Sequence, residues 1–136
     1  MAVTIKAEIL IDGVAEGPLF RMAKPISFWG GVDPSTGCVS DPRHPDYGKS
    51  VAGTVLALAE TIGSSSSSAV MLELISARLA PHALLLGRPD AILSLGVVVA
   101  REMNIGSIPV LRAPVEQMPE RGYARILEGG EIAFET

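Results

Sequence analysis

The chain has 136 residues, a net charge of −4, 48% hydrophobic and 19% charged residues. That balance fits one core-rich globular domain over residues 1–136 and excludes a disordered chain; with no basic run it also argues against a nucleic-acid partner. No apolar stretch reaches the roughly 18 residues of a membrane span, the first residues carry no signal-peptide pattern, and the single cysteine, Cys38, excludes an internal disulfide and points to a reducing, cytoplasmic setting.

Val3, Ile5, Ile9 and Ile11 alternate with Thr4, Lys6 and Glu8, which predicts a strand ended by Asp12-Gly13. Gly17-Pro18 reads as a turn, followed by a second strand over Leu19–Ala23. Pro25 interrupts, and Ile26–Trp29 is short and apolar. Gly30-Gly31-Val32-Asp33-Pro34-Ser35-Thr36-Gly37 is a loop whose paired glycines permit close backbone approach. Trp29, Asp33 and two bare backbone amides make it a candidate binding loop; the plain alternative is a conformational loop tip. Cys38–Ser40 is a short strand candidate. His44, between prolines, reads as a loop histidine, because no Cys, His or acid stands at metal-ligand spacing from it.

Val51–Ala59 is apolar on both faces and predicts a central strand. Gly63-Ser64-Ser65-Ser66-Ser67-Ser68 follows, then a helix over Ala69–Ala80 ended by Pro81. A serine run alone suggests a flexible linker. Here a strand enters it and a helix leaves it, and helix N-termini leave amides free to hold an anion. Ser67 and Ser68 fall in the first helical turn and suit capping or packing. His82–Leu86 predicts a buried strand with His82 at its solvent edge. Gly87–Asp90 turns into a second helix, with Asp90 near its first turn, which runs to about Met103 and stops at Asn104-Ile105-Gly106. Ile108–Leu111 is a last core strand. Ala124–Leu127 and Ile132–Phe134 read as a closing hairpin. Strands alternating with helices in the middle, and strands alone at the ends, predict an α/β fold. It has three layers, with a central parallel sheet, helices on one side and a smaller antiparallel sheet on the other.

Ile26-Ser27-Phe28-Trp29-Gly30-Gly31-Val32-Asp33-Pro34, His44-Pro45, Gly63 through Ser68, and Pro89-Asp90-Ala91-Ile92-Leu93-Ser94-Leu95-Gly96 together resemble the small subunit of the aconitase X family. The resemblance runs from about Leu19 to Pro109. It implies the swivelling β/β/α domain of an aconitase-like dehydratase, inactive without a large aconitase X subunit that carries an iron–sulfur cluster on its own cysteines. One cysteine in this chain cannot hold such a cluster, so no metal ligand is expected here. The family dehydrates small carboxylates. One type acts on cis-3-hydroxy-L-proline, giving 1-pyrroline-2-carboxylate, and another on mevalonate 5-phosphate; the uninterrupted serines resemble the first, bacterial type. Aconitases present a Gly-Ser-Ser-Arg stretch whose first serine is the base. Matching glycine to glycine implies Ser64 as catalytic base, with Gly63, Ser65, Ser66, Gly30, Gly31 and Asp33 at the substrate. Ser66 falls where that arginine would be, so a carboxylate must be held by other groups.

Two rival classes remain open in the residues. A non-enzymatic domain would hold a small anion at the serine loop. A carrier domain would use His44 or His82 for phosphotransfer, although neither precedes a glycine-rich helix start.

Overall fold

The computed structural model describes residues 2–136; Met1 lies outside it. Among the described residues there are eight strands, three α-helices and two short 3-10 turns. The strands are β1 (Ala2–Lys6), β2 (Glu8–Ile11), β3 (Ala15–Arg21), β4 (Val55–Leu58), β5 (Ala83–Leu86), β6 (Val110–Arg112), β7 (Tyr123–Ile126) and β8 (Glu131–Glu135). The helices are α1 (Phe28–Gly31), α2 (Ser67–Ser76) and α3 (Ala91–Glu102).

The strands form one mixed, nearly closed sheet in the order β1-β8-β7-β3-β4-β5-β6-β2. β3 to β6 are parallel neighbours, as the helical crossovers between them require. β7, β8 and β1 add on antiparallel, and β2 runs antiparallel to β6. The three expected layers follow from the two faces of the parallel strands. Leu56, Leu58, Leu84 and Leu86 point to the helix side and pack with Met71, Leu74, Leu93 and Val97. The alternate residues Val55, Ala57, Ala83 and Leu85 point to the other side and pack with Ile126, Ile132 and Phe134 of the antiparallel strands. Burial on both faces explains why these strands carry no polar alternation.

Several boundaries differ from those expected. Gly17-Pro18 is not a turn but lies inside β3, opposite Ala124 and Tyr123. At this point β3 exchanges partners: its first half pairs with β7 and its second, from Leu19, with β4. A proline is tolerated where a strand changes ladders. The expected first strand is two strands, parted at Ala7, because β1 pairs with β8 and β2 with β6. The Ala7 N–H donates to the Gly130 carbonyl at 2.8 Å. Gly130 has φ +84, and a Cβ there would stand 2.7 Å from the Ala7 carbonyl oxygen, so this contact demands glycine. β4 is shorter than Val51–Ala59, since Val51–Thr54 forms a turn closed by Thr54 N–H to Val51 O.

α2 starts two residues earlier than expected, and Pro81 does not end it. Arg78 takes φ +61, the Leu79 N–H reaches Leu74 O, and the Arg78 N–H reaches Ile75 O. That double bond pattern is a Schellman stop. α3 ends in the same way, with Asn104 at φ +56 and Ile105 N–H to Ala100 O. Among the described residues no helix is long and apolar enough to cross a membrane.

Candidate functional site

Three loops leave the C-terminal ends of consecutive parallel strands. The first follows β3 and carries Ile26–Asp33, the second follows β4 and carries Thr61–Ser66, and the third follows β5 and carries Gly87–Asp90. Ligand sites of parallel sheets gather at this end. The first two loops touch directly. Ile26 and Thr61 form a parallel bridge, and the Ile62 N–H donates to Ile26 O at 3.0 Å.

The first loop is an irregular single turn, with Trp29 and Gly30 outside helical geometry and Gly30 at φ +80. Its neighbours fix it: Ser40 N–H donates to Gly31 O at 2.8 Å, and Ser40 Oγ to Gly30 O at 3.1 Å. The Trp29 side chain is 63% exposed. Gly30 and Gly31 line a hollow with Trp29, Ser40, His44 and Ile62. Gly30 and Asp33 line a second, against Ala69, Val70 and Glu73 of α2.

Asp33 spends one carboxylate oxygen on its own turn. Oδ1 accepts the Ser35 hydroxyl at 2.7 Å and the Ser35 amide at 2.9 Å. Those two bonds hold its carboxyl below the usual 3.8.

The serine run makes a compact entry to α2. Ser64 Oγ accepts the Ser66 N–H at 3.3 Å, and Ser64 O accepts the Ser67 N–H at 3.2 Å. Ser66 is the N-cap, yet no side chain caps this helix. α3 is built differently: Asp90 Oδ1 accepts the Ile92 and Leu93 amides, each at 3.0 Å. The α2 N-terminus therefore keeps its positive end uncapped beside Ser64. Ser67 is 1% exposed and packs inward, while Ser68 Oγ donates to Ser65 O at 3.5 Å. Gly63 opens onto a third hollow with Thr61, Arg88 and Asp90. The run thus leads from that hollow towards the one at Ala69; Ser64, Ser65 and Ser66 line neither.

Residues that sequence reasoning did not single out are Thr61 and Ser40. Thr61 Oγ1 donates to Asp90 Oδ2 at 2.6 Å. Its only sequence signal is its place between the end of β4 and the serine run.

Both histidines are fastened to backbone. His44 is 8% exposed. Its Nδ1 accepts the Asp46 N–H at 3.0 Å, which leaves the proton on Nε2 to be donated to Lys24 O at 2.9 Å. Burial opposes the charge on neighbouring Asp46, but the Ala23 amide and the Lys49 ammonium, each at 3.0 Å, keep its carboxyl below 3.8. His82 Nδ1 lies 2.9 Å from Glu16 O, at the start of β5 and so at the opposite end of the sheet from Ser64. Neither placement suits a phosphate carrier beside the serine loop. Cys38 is a half-buried free thiol, paired through its backbone to Ser50.

The sequence matches the aconitase X swivel domain over residues 4–133. It is 41% identical over 130 residues to cis-3-hydroxy-L-proline dehydratase of Hypocrea jecorina, an alignment covering 94% of this chain and 22% of that protein. The chain thus spans 22% of the length of that relative. It is 32% identical over 132 residues to the phosphomevalonate dehydratase small subunit of Pyrococcus furiosus, covering 94% of this chain and 98% of that one. The fold superimposes on the holo form of Thermococcus kodakaraensis aconitase X with a TM-score of 0.88 at 29% identity, over 98% of this chain and 99% of the other. A match of this extent in sequence, and over nearly the whole fold, makes the chain a member of the aconitase X swivel-domain family.

Proposed function

We propose that this chain is the small subunit of a hydro-lyase that dehydrates cis-3-hydroxy-L-proline, with Ser64 as the base. The observation that carries the reading is the uncapped start of α2, where the Ser66 amide already points at Ser64 Oγ. A serine is a poor base as a neutral hydroxyl. Amides aimed at its oxygen stabilise the alkoxide form when water is excluded.

In the reaction, Ser64 Oγ takes the proton from the carbon that bears the carboxylate. The electron pair forms the ring double bond as the hydroxyl leaves the next carbon. The resulting enamine takes up a proton at the carbon that lost the hydroxyl and gives up its ring N–H proton, and so becomes its tautomer 1-pyrroline-2-carboxylate. The Gly63 backbone, Ser65, Ser66, Gly30, Gly31 and Asp33 hold the substrate around that base.

An iron–sulfur cluster does not fit the residues of this chain. Such clusters need several thiolates, and Cys38 is the one cysteine; among the described residues no cluster of three metal-ligating side chains occurs. The group would belong to a large aconitase X subunit. Trp29, Ile62 and Leu95, 63%, 57% and 51% exposed, support an apolar contact with such a partner.

A second reading, mevalonate 5-phosphate dehydration, draws on the Pyrococcus furiosus small subunit, which this chain matches over 98% of its length. The deciding experiment combines the purified chain with a large aconitase X subunit and supplies each substrate separately. Turnover of cis-3-hydroxy-L-proline is the expected result, with none from this chain alone. Turnover of mevalonate 5-phosphate only selects the second reading, and turnover of neither refutes both.

Gly63→Ala tests the substrate contact. A Cβ at Gly63 meets no atom of this chain within 4 Å, so the variant folds with an unchanged melting temperature. A rise in KM with kcat little altered is expected, because the methyl group stands where the ligand approaches. Wild-type KM would remove Gly63 from the site.

A further inference from the structure

We propose that Thr61 and Asp90 form a latch that positions the serine loop for catalysis; the inference rests on the reading of Ser64 as the base. Asp90 is held rigidly by its helix, because its Oδ1 accepts two amides of the first α3 turn. Its other oxygen, Oδ2, is turned away from that cap and accepts Thr61 Oγ1 at 2.6 Å. A charge-assisted bond of that length is among the stronger side-chain contacts. Thr61 is also fixed through its backbone bridge to Ile26.

The far end of the run is held by the same helix. Gly96 of α3 lies so close to Ser68 that a Cβ there would stand 2.4 Å from the Ser68 carbonyl oxygen. α3 therefore grips the loop on both sides, at Thr61 through Asp90 and at Ser68 through Gly96. Between those anchors, the bonds that shape Gly63 to Ser66 stay within the run and the first turn of α2, where the Val70 N–H donates to Ser66 O. The placement of Ser64 Oγ then depends on these anchors together with the backbone bond from the Ile62 N–H to Ile26 O. An error of about 1 Å in a reacting group costs on the order of 10²-fold in rate.

The division of Asp90 into a capping oxygen and a latching oxygen lets the two roles be separated. Thr61→Val removes the hydroxyl, keeps the shape and leaves the α3 cap intact. Thr61→Ser keeps the hydroxyl. Amide hydrogen exchange of the whole chain reads the latch without reference to activity, and kcat and KM of the assembled two-subunit enzyme read its catalytic use. The expected result for Thr61→Val is faster exchange at Ile62, Ser66 and Ser67, the hydrogen-bonded amides of this stretch, a fall in kcat of about 10²-fold, and little change in KM. Thr61→Ser restores both. Unchanged exchange in Thr61→Val overturns the latch. So does unchanged kcat in Thr61→Val under conditions where Ser64→Ala is inactive, and so does a Thr61→Ser variant as impaired as Thr61→Val. If the wild-type enzyme turns over neither substrate, that failure falls on the proposed function, and the exchange measurement still decides whether the latch exists.

Discussion

Ser64→Ala is expected to lower kcat of the assembled enzyme by about 10²–10⁴, the usual cost of losing a general base, with little change in melting temperature. The substitution deletes one oxygen from a half-buried side chain. Its one hydrogen bond, from the Ser66 amide at 3.3 Å, is long, and water can replace it at a cost of about 0.5–1.5 kcal/mol at most. Ser65→Ala and Ser67→Ala are the controls. Ser65 is exposed on the run, whereas Ser67 is 1% exposed, so Ser67→Ala acts on stability before activity. A Ser64→Ala enzyme with normal kcat beside an inactive Ser65→Ala enzyme moves the base one residue on. Full activity in all three makes the run structural.

Gly96→Ala carries the largest expected effect on stability. Alanine in place of glycine inside a helix gains up to about 1 kcal/mol from backbone entropy. Against that, the new methyl would lie 2.4 Å from the Ser68 carbonyl oxygen and 3.0 Å from Met71 Cβ. A backbone oxygen in a helix cannot swing aside as a long side chain does, so α2 and α3 must separate. Overpacking of this kind costs about 1–3 kcal/mol, which exceeds the gain. Denaturant unfolding is expected to show a net loss of up to about 2 kcal/mol, taken as the difference of those two magnitudes. Because Ser68 closes the serine run, kcat falls as well. A variant more stable than wild type would show that the helices separate freely at this crossing.

The parallel half of the fold was legible because its residues answer to one demand. β4 and β5 are buried on both faces, and only a run such as Val55-Leu56-Ala57-Leu58 satisfies that. Asp90 was legible as a helix start because a carboxylate after proline has one common use there. Gly17-Pro18 was misread because both residues favour turns locally, and the exchange of ladders inside β3 is set by strands far along the chain. The same holds for Ala7, where nothing local marks the change of partner. The helix stop at Arg78 was missed because arginine at positive φ runs against its propensity. At the site, the serine run and the glycine pair stood out by composition. Thr61 did not, since its partner lies on another loop and a lone threonine carries no pattern.

The neighbouring first and last strands bear on how the chain reaches its native state. Ala2 stands opposite Glu135 in the β1–β8 ladder, so β1 has no partner until β8 has been made. The entropy of closing so long a loop is modest, since each doubling of length adds only about 0.6 kcal/mol. The delay is in time. β3, β4, β5 and β6 with their helices can assemble from near neighbours, whereas the ring closes only through contacts distant in sequence, the kind that slow folding. During synthesis the parallel core, with the serine loop at its end, is complete before the antiparallel wall that covers its other face.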